Sequence, residues 1–318
     1  MNIDDKGIQG PAWERQVLEK LAFAMLDERK SARRWSLFWR MVWLGLLGLV
    51  VWWFMAFGAS GTAPSAPHTA VVSIQGEIAA DSDANATDIL DAVRAAFEDE
   101  GSQAVVLVIN SPGGSPVQAG VINDEINRLK GIHQKPVYAV VEETCASAAY
   151  YVAASADMIY VDKASIVGSI GVLMDGFGFT GLMDKLGIER RLLTAGANKG
   201  FLDPFSPQTP EQRAYALGML KEIHDQFIEV VRAGRGDRLK ETPDMFSGLF
   251  WSGQQAVKLG LADGLGSVDF VAREVVNAAD IVDYTRRANM AERLVKRFGS
   301  AVGESAVRTW SLSHHTLR

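Results

Sequence analysis

Residues 104–115 read AVVLVINSPGGS, an apolar, β-branched run that ends in two adjacent glycines. The run predicts a buried strand, and a helical pattern begins directly after it, at Val117. Glycine lets the backbone turn tightly at such a junction, and amide groups at the start of a helix favour negative charge. The stretch therefore predicts a strand, a turn and a helix, with Gly113 and Gly114 in a turn that can form an oxyanion hole. A plain structural turn is the alternative.

Short apolar runs alternate with helical stretches on both sides of this unit. We predict strands over residues 70–74, 104–109, 137–141, 158–161 and 191–194. We predict helices over residues 87–100, 117–130, 148–156 and 181–186, and a longer one from a Thr209 cap to about Arg232. This alternation is typical of an α/β fold with a largely parallel sheet.

A second junction of strand and helix reads TCASAAYY over residues 144–151. Ser147 lies at the predicted helix start, where its hydroxyl is near the positive end of the helix and the amide of Ala148 can donate to an oxyanion. Serine is also a common helix N-cap, so a purely structural role for Ser147 is the alternative. Cys145, the only cysteine, is a rival nucleophile, although such a residue is usually a small buried apolar one. Ser147 is the candidate nucleophile.

A serine nucleophile needs a base, and none of the five histidines lies in a second conspicuous motif. The search therefore turns to lysine, the base of Ser-Lys enzymes. Lys199 follows a predicted strand and lies among glycine, alanine and aromatic residues that can hold an amine out of water, as a lysine base requires. Lys163 is a second candidate, in a segment that is typical of an exposed turn.

Residues 41–59 form an uncharged run of nineteen, which as a helix rising about 1.5 Å per residue spans the hydrocarbon core of a membrane. Five basic residues and no acidic one lie between 29 and 40, and no Lys or Arg follows the run until Arg94. We therefore predict an inner (plasma) membrane protein with residues 1–40 in the cytoplasm, an uncleaved anchor at 41–59 and an exported remainder. A cleaved signal peptide is the alternative. The remainder divides into a tether (60–68), a globular domain (69–288) and a C-terminal helix or tail (289–318).

Composition excludes several classes of function. The 318 residues carry 32 basic and 38 acidic side chains, a balance that argues against a nucleic-acid partner. One cysteine excludes an intramolecular disulfide and a cysteine-based zinc site. The sequence has no glycine-rich phosphate fingerprint, so we expect no nucleotide and no other cofactor or metal.

Five ordered motifs resemble the signal peptide peptidase A family, the S49 Ser-Lys peptidases. They are NSPGGS (110–115), CASAAYYVA (145–153), VGSIGV (167–172), GANKGFLDPFSP (196–207) and FWSGQQAVKLGLADGLG (250–266). The resemblance implies Ser147 as nucleophile, Lys199 as general base, Gly114 and Ala148 as oxyanion donors beside Gly113, and Ser169 as the hydroxyl that orients the lysine. Family members commonly have Ser-Gly-Gly where this chain has Ser-Ala-Ala, which we interpret as a change of pocket shape.

The same resemblance implies a fold of the ClpP/crotonase type, a spiral of ββα units. Its short members form homo-oligomeric rings in which the lysine approaches the serine of a neighbouring protomer. The implied substrates are remnant signal peptides and other unfolded or membrane-released peptides. A ClpP-like Ser-His-Asp protease, a crotonase-type acyl-CoA enzyme and an inactive membrane scaffold are the alternatives.

Overall fold

The computed structural model describes residue 35 and residues 37–53 and 66–286. The chain divides into two compact units, Met1–Ala63 and Pro64–Arg318. In the first unit, residues 37–53 form a helix, α1, whose side chains are almost all exposed. Predictions for residues 1–34 and 54–65, and those for residues 287–318, lie outside the described residues.

Helix α1 covers residues 41–53 of the predicted membrane anchor. None of the helices in the described ranges combines the length and the apolar character needed to cross a membrane. The anchor at 41–59 therefore stays a prediction.

Eight strands of the second unit form one sheet. They are β1 (His68–Gln75), β2 (Ser102–Ser111), β3 (Val137–Ala146), β4 (Met158–Val161), β5 (Ile166–Gly168), β6 (Phe250–Ser252), β7 (Gly264–Leu265) and β8 (Ile281–Asp283). The main path runs β6-β5-β3-β2-β1-β8, and β4 pairs with β3 and β7. All pairings are parallel except that of β5 with β6. The predicted α/β class with a mostly parallel sheet is confirmed.

The helices of this unit connect or follow the strands. They are α2 (Ala86–Glu98), α3 (Pro116–His133), α4 (Ala148–Ala153), α5 (Thr180–Leu186), α6 (Pro210–Arg235), α7 (Gly253–Leu259) and α8 (Val268–Phe270), the last continued by a π-helical turn at Val271–Val275. The capping box predicted at Thr209 is present, since its side chain accepts from the amide of Gln212 and that glutamine accepts from the amide of Thr209.

The central strands are buried on both faces, which explains their continuous apolar sequence. Alternate residues of β2 face two different clusters: Val105, Leu107 and Ile109 pack in the larger one, whereas Val106 and Val108 pack in the smaller one. Because β2 and β3 are parallel neighbours, their carboxyl ends lie at the same edge of the sheet. The glycine turn after β2 and Ser147 after β3 therefore meet at that edge.

The strand predicted over residues 191–194 is wrong. These residues have no regular structure, and Leu193 is 95% exposed. A strand needs a neighbour to pair its backbone groups, and no described strand of the sheet lies alongside this segment. The apolar residues that suggested a strand face solvent instead of a core.

Candidate active site

Ser147 joins the end of β3 to the start of α4 in an unusual conformation, with φ 53° and ψ −125°. A positive φ at a residue other than glycine is uncommon, and such strain concentrates at functional turns. The backbone is held on both sides, because the Ser147 amide donates to the Gly168 carbonyl (2.8 Å) and its carbonyl accepts from the Tyr151 amide (3.0 Å). Ser147 occupies the N-cap position of α4, but its side chain makes no capping hydrogen bond, so the hydroxyl does not act as a cap.

The glycine turn lies directly against Ser147. Gly113 has φ 106°, and a Cβ added to it would lie 2.7 Å from the Cβ of Ser147. Gly114 has φ 145°, and a Cβ there would lie 2.2 Å from the carbonyl oxygen of Ile78. Two backbone hydrogen bonds fix the turn, from Ile78 to the Gly113 carbonyl and from Ser115 to the Ile78 carbonyl, each 2.8 Å. The turn thus tolerates only glycine at both positions.

Two backbone amides next to Ser147 are available as donors. Within the described part of the chain, the amides of Gly114 and Ala148 donate no hydrogen bond to another residue. Gly114, Ser147 and Ala148 all line one cavity of about 950 Å³. Two unpaired amides beside a serine hydroxyl are what the oxyanion of an acyl-transfer intermediate needs. The structure therefore brings the predicted nucleophile and the predicted oxyanion donors together.

The cavity in front of Ser147 is mostly apolar. Its lining includes residues of α3 and, from α6, Ile223 and Phe227. Ser169 lines the same cavity, with φ 50° and its amide donating to the Leu249 carbonyl at 2.8 Å. The predicted supporting serine thus lies at the site. Asp124 and Tyr151 also line the cavity, and the sequence reasoning missed both of them.

Neither candidate lysine lines this cavity within one chain. Lys199 is exposed and lies in a turn, where its amide donates to the Gly196 carbonyl at 3.1 Å. Lys163 is also exposed and outside the cavity. The expectation that the Lys199 amine is held out of water is not met in a single protomer. The structure brings Ser147, Gly114, Ala148 and Ser169 together, but not Lys199.

Lys199 belongs to a segment, residues 173–205, that we call the lysine arm. It exposes large apolar side chains, including Leu173 (81% exposed) and Phe177 (80% exposed), and its helix α5 buries no residue. The arm has internal order, since Arg190 forms an ion pair with Asp203 (2.5 Å) and the rings of Phe179 and Phe205 stack at 5.4 Å. Exposed apolar patches of this kind mark interaction surfaces.

The rival nucleophile and base are not supported. Cys145 is fully buried, and burial raises the pKa of its thiol, so this side chain is neither ionised nor accessible. Its nomination as a rival nucleophile is wrong. Among the described residues that line the cavity there is no histidine. His224, on α6, does not line the cavity, and its Nε2 lies 3.1 Å from the Ile170 carbonyl oxygen.

The described ranges contain no group of three or more His, Cys, Asp or Glu side chains that could hold a metal ion.

Comparison with known proteins matches this site to a family. The model of Peptidase family S49 matches residues 131–282, a segment that contains Ser147, Ser169 and Lys199. Residues 131–282 of this chain are thus similar to peptidase family S49. The S49 segment begins after the glycine turn, so it covers the nucleophile but not Gly114.

The relatives are matched over part of their length. The chain is 48% identical over 173 residues to a Brucella melitensis protein named "Na(+)/H(+) antiporter NhaA", which covers 54% of this chain and 24% of that protein. It is 31% identical over 217 residues to "Protease 4" of Haemophilus influenzae, covering 66% of this chain and 34% of that one. The chain thus spans about a quarter to a third of the length of these relatives.

A solved structure of a membrane-bound stomatin-specific protease superposes with a TM-score of 0.40 at 14% identity, covering 70% of this chain and 99% of that one.

Proposed function

We propose that this chain is a membrane-anchored serine endopeptidase in which Ser147 is the nucleophile and Lys199 of a neighbouring copy is the general base. One observation carries the proposal: the Ser147 hydroxyl, spent on no helix cap, shares a cavity with the unpaired amides of Gly114 and Ala148. Similarity of residues 131–282 to family S49 supports the same assignment. We also propose that the fold is a ClpP/crotonase-like spiral of ββα units.

The proposed reaction is acyl transfer. The neutral amine of Lys199 takes the Ser147 proton while the hydroxyl oxygen attacks a peptide carbonyl. The resulting oxyanion accepts hydrogen bonds from Gly114 and Ala148. The protonated lysine then gives its proton to the leaving amine, and water hydrolyses the acyl-enzyme. Ser169, on the cavity wall, is the proposed partner that orients the lysine amine.

Supply of Lys199 by a second copy is supported by the lysine arm. The arm carries Lys199 away from the cavity of its own chain and exposes apolar surface that a neighbouring copy would cover. Burial of the arm between copies would also remove water from around the amine, which a lysine base requires. A homo-oligomeric ring satisfies both needs in every protomer at once.

The proposed substrates are remnant signal peptides and other unfolded or membrane-released peptides. The mostly apolar cavity suits such chains, and the S49 resemblance supports them. An anchor at residues 41–59, with the N-terminus in the cytoplasm, would hold the site on the exported side of the inner membrane, where these peptides are released. We propose no nucleic-acid partner and no cofactor.

The test is cleavage of an unfolded polypeptide by the full-length protein in detergent, with four forms compared. Ser147→Ala and Lys199→Ala should each abolish cleavage, whereas Lys163→Ala, the matched control, should retain it. Mixing unfolded Ser147→Ala and Lys199→Ala chains and refolding them together should restore part of the activity, because each supplies the group that the other lacks. Full activity of Lys199→Ala would contradict the Ser-Lys dyad. If the activity of that variant also rose with pH through about 6.5, the result would favour a histidine base.

A further inference from the structure

We propose that Asp124 binds a lysine or arginine side chain of the peptide substrate near the cleaved bond. The inference rests on the proposed function and adds a substrate preference to it. Asp124 lies on α3, and of the described residues that line the cavity in front of Ser147 it alone carries a charge.

The face of α3 that lines the cavity is one helical stripe. Val117, Gly120, Val121 and Asp124 follow the spacing i, i+3, i+4, i+7, which places them along one side of the helix. The two valines face open space, since Val117 is 72% and Val121 47% exposed. The stripe therefore offers an apolar wall that ends in a carboxylate.

Gly120 leaves room beside this wall. A Cβ added to it would still lie 4.0 Å from the hydroxyl of Tyr151, which lines the same cavity. Burial, and secondly the charge of Asp124, raise the pKa of Tyr151. The phenol and the carboxylate therefore share one part of the cavity, where the phenol stays protonated.

No cation of the described chain neutralises Asp124. Arg128, one helical turn further on, would be its ordinary partner, but Arg128 lies 2.6 Å from Glu125 instead. Arg94 is held by the same glutamate at 2.8 Å. Within the ranges that the structure describes, the Asp124 carboxylate takes part in no ion pair or hydrogen bond.

A basic side chain matches both parts of this surface. Lysine and arginine carry an apolar stem that can lie along Val117 and Val121 and a cationic head that can reach Asp124. Pro116, the first residue of α3, lies beside the glycine turn. Since a helix rises about 1.5 Å per residue, Asp124 lies about 12 Å further along α3. An extended peptide advances about 3.3 Å per residue, so with the length of its side chain the basic residue lies about two or three positions from the cleaved bond.

The experiment compares kcat/KM for peptide pairs that differ by lysine or norleucine at one position, tested at each position around the cleaved bond. The full-length wild type should prefer lysine at one position. Asp124→Asn should lower kcat/KM for that lysine peptide about fivefold and leave the norleucine peptide unchanged. Asp124→Lys should favour a glutamate peptide. Asp237→Asn, a change of the same type at an exposed site outside the cavity, should behave as the wild type.

Two results would overturn the inference while the proposed function stands: cleavage with no lysine preference, or an equal loss on both peptides in Asp124→Asn. The second result, with a changed sedimentation coefficient, would assign Asp124 to a contact between copies. Binding of the same peptides to Ser147→Ala protein separates the two proposals. A lysine preference in binding that Asp124→Asn removes supports the inference even where cleavage fails and the proposed function falls.

Discussion

Gly113 packs so closely on Ser147 that no side chain fits between them: an added Cβ would lie 2.7 Å from the Ser147 Cβ and 2.7 Å from the Ala146 carbonyl oxygen. The two residues follow different strands, β2 and β3, and lie 34 positions apart in the sequence. Their contact aligns the oxyanion turn with the hydroxyl, because both belong to backbone segments that are fixed by hydrogen bonds.

Gly113→Ala should therefore reduce peptidase activity at least about tenfold and destabilise the fold by about 1 to 3 kcal/mol. The new methyl group would displace either the turn or Ser147, and φ 106° is strained for alanine. Cleavage assays and urea unfolding measure the two effects. Gly131→Ala is the control, since a Cβ there meets nothing within 4 Å and Gly131 does not line the cavity. Equal activity of the two variants would contradict the contact.

Ser147→Gly should abolish activity but raise the free energy of unfolding by about 1 kcal/mol, because glycine adopts φ 53° without strain. Ser147→Ala keeps the strain, so it should abolish activity without that gain in stability. Thermal or urea unfolding of the three proteins measures the difference. If glycine and alanine give the same stability, Ser147 is not strained.

Arg235→Met should destabilise the domain by about 3 kcal/mol. Arg235 is only 1% exposed and donates from its two terminal nitrogens to the Asp263 carboxylate at 2.9 and 2.8 Å, while its Nε donates to the Gly260 carbonyl at 2.8 Å. The substitution leaves a largely buried carboxylate that keeps the hydrogen bond from the Ile159 amide, with the more exposed Arg238 as its only charged partner among the described residues. Urea unfolding measures the loss, and Arg273→Met, at an exposed ion pair, should cost almost nothing.

Protonation of Glu125 should cause part of the loss of folding stability in acid. Hydrogen bonds from Arg128 and Arg94 lower its pKa from 4.5 to about 2. A lowered folded-state pKa adds stability above pH 4.5, and that stability is lost as the pH falls from 4.5 toward 2. Glu125→Gln should therefore show a smaller decrease in the free energy of unfolding across this interval than the wild type. Glu98→Gln, at an exposed site, is the control and should retain the full decrease.

Much of the fold followed from local sequence. The runs at 104–109 and 137–141 predicted buried strands, and the structure has them in β2 and β3. The run at 191–194 failed because an apolar pattern does not state whether a partner strand exists. Asp124 was missed because its meaning depends on Ser147 and Tyr151, which approach it only after folding. The spacing 117, 120, 121, 124 was the signal that could have shown the cavity face of α3.

The sequence by itself determined the strand and helix order, the glycine turn and the serine at a strand end, because these depend on apolar periodicity and on backbone freedom within a few residues. Only the tertiary structure decided that Gly114, Ser147, Ala148 and Ser169 share one cavity and that Lys199 of the same chain does not. The physical reason is that parallel pairing of β2 with β3 brings distant turns to one edge. The lysine arm instead contacts α6 away from this cavity, where the ring of Phe201 packs on that of Tyr215.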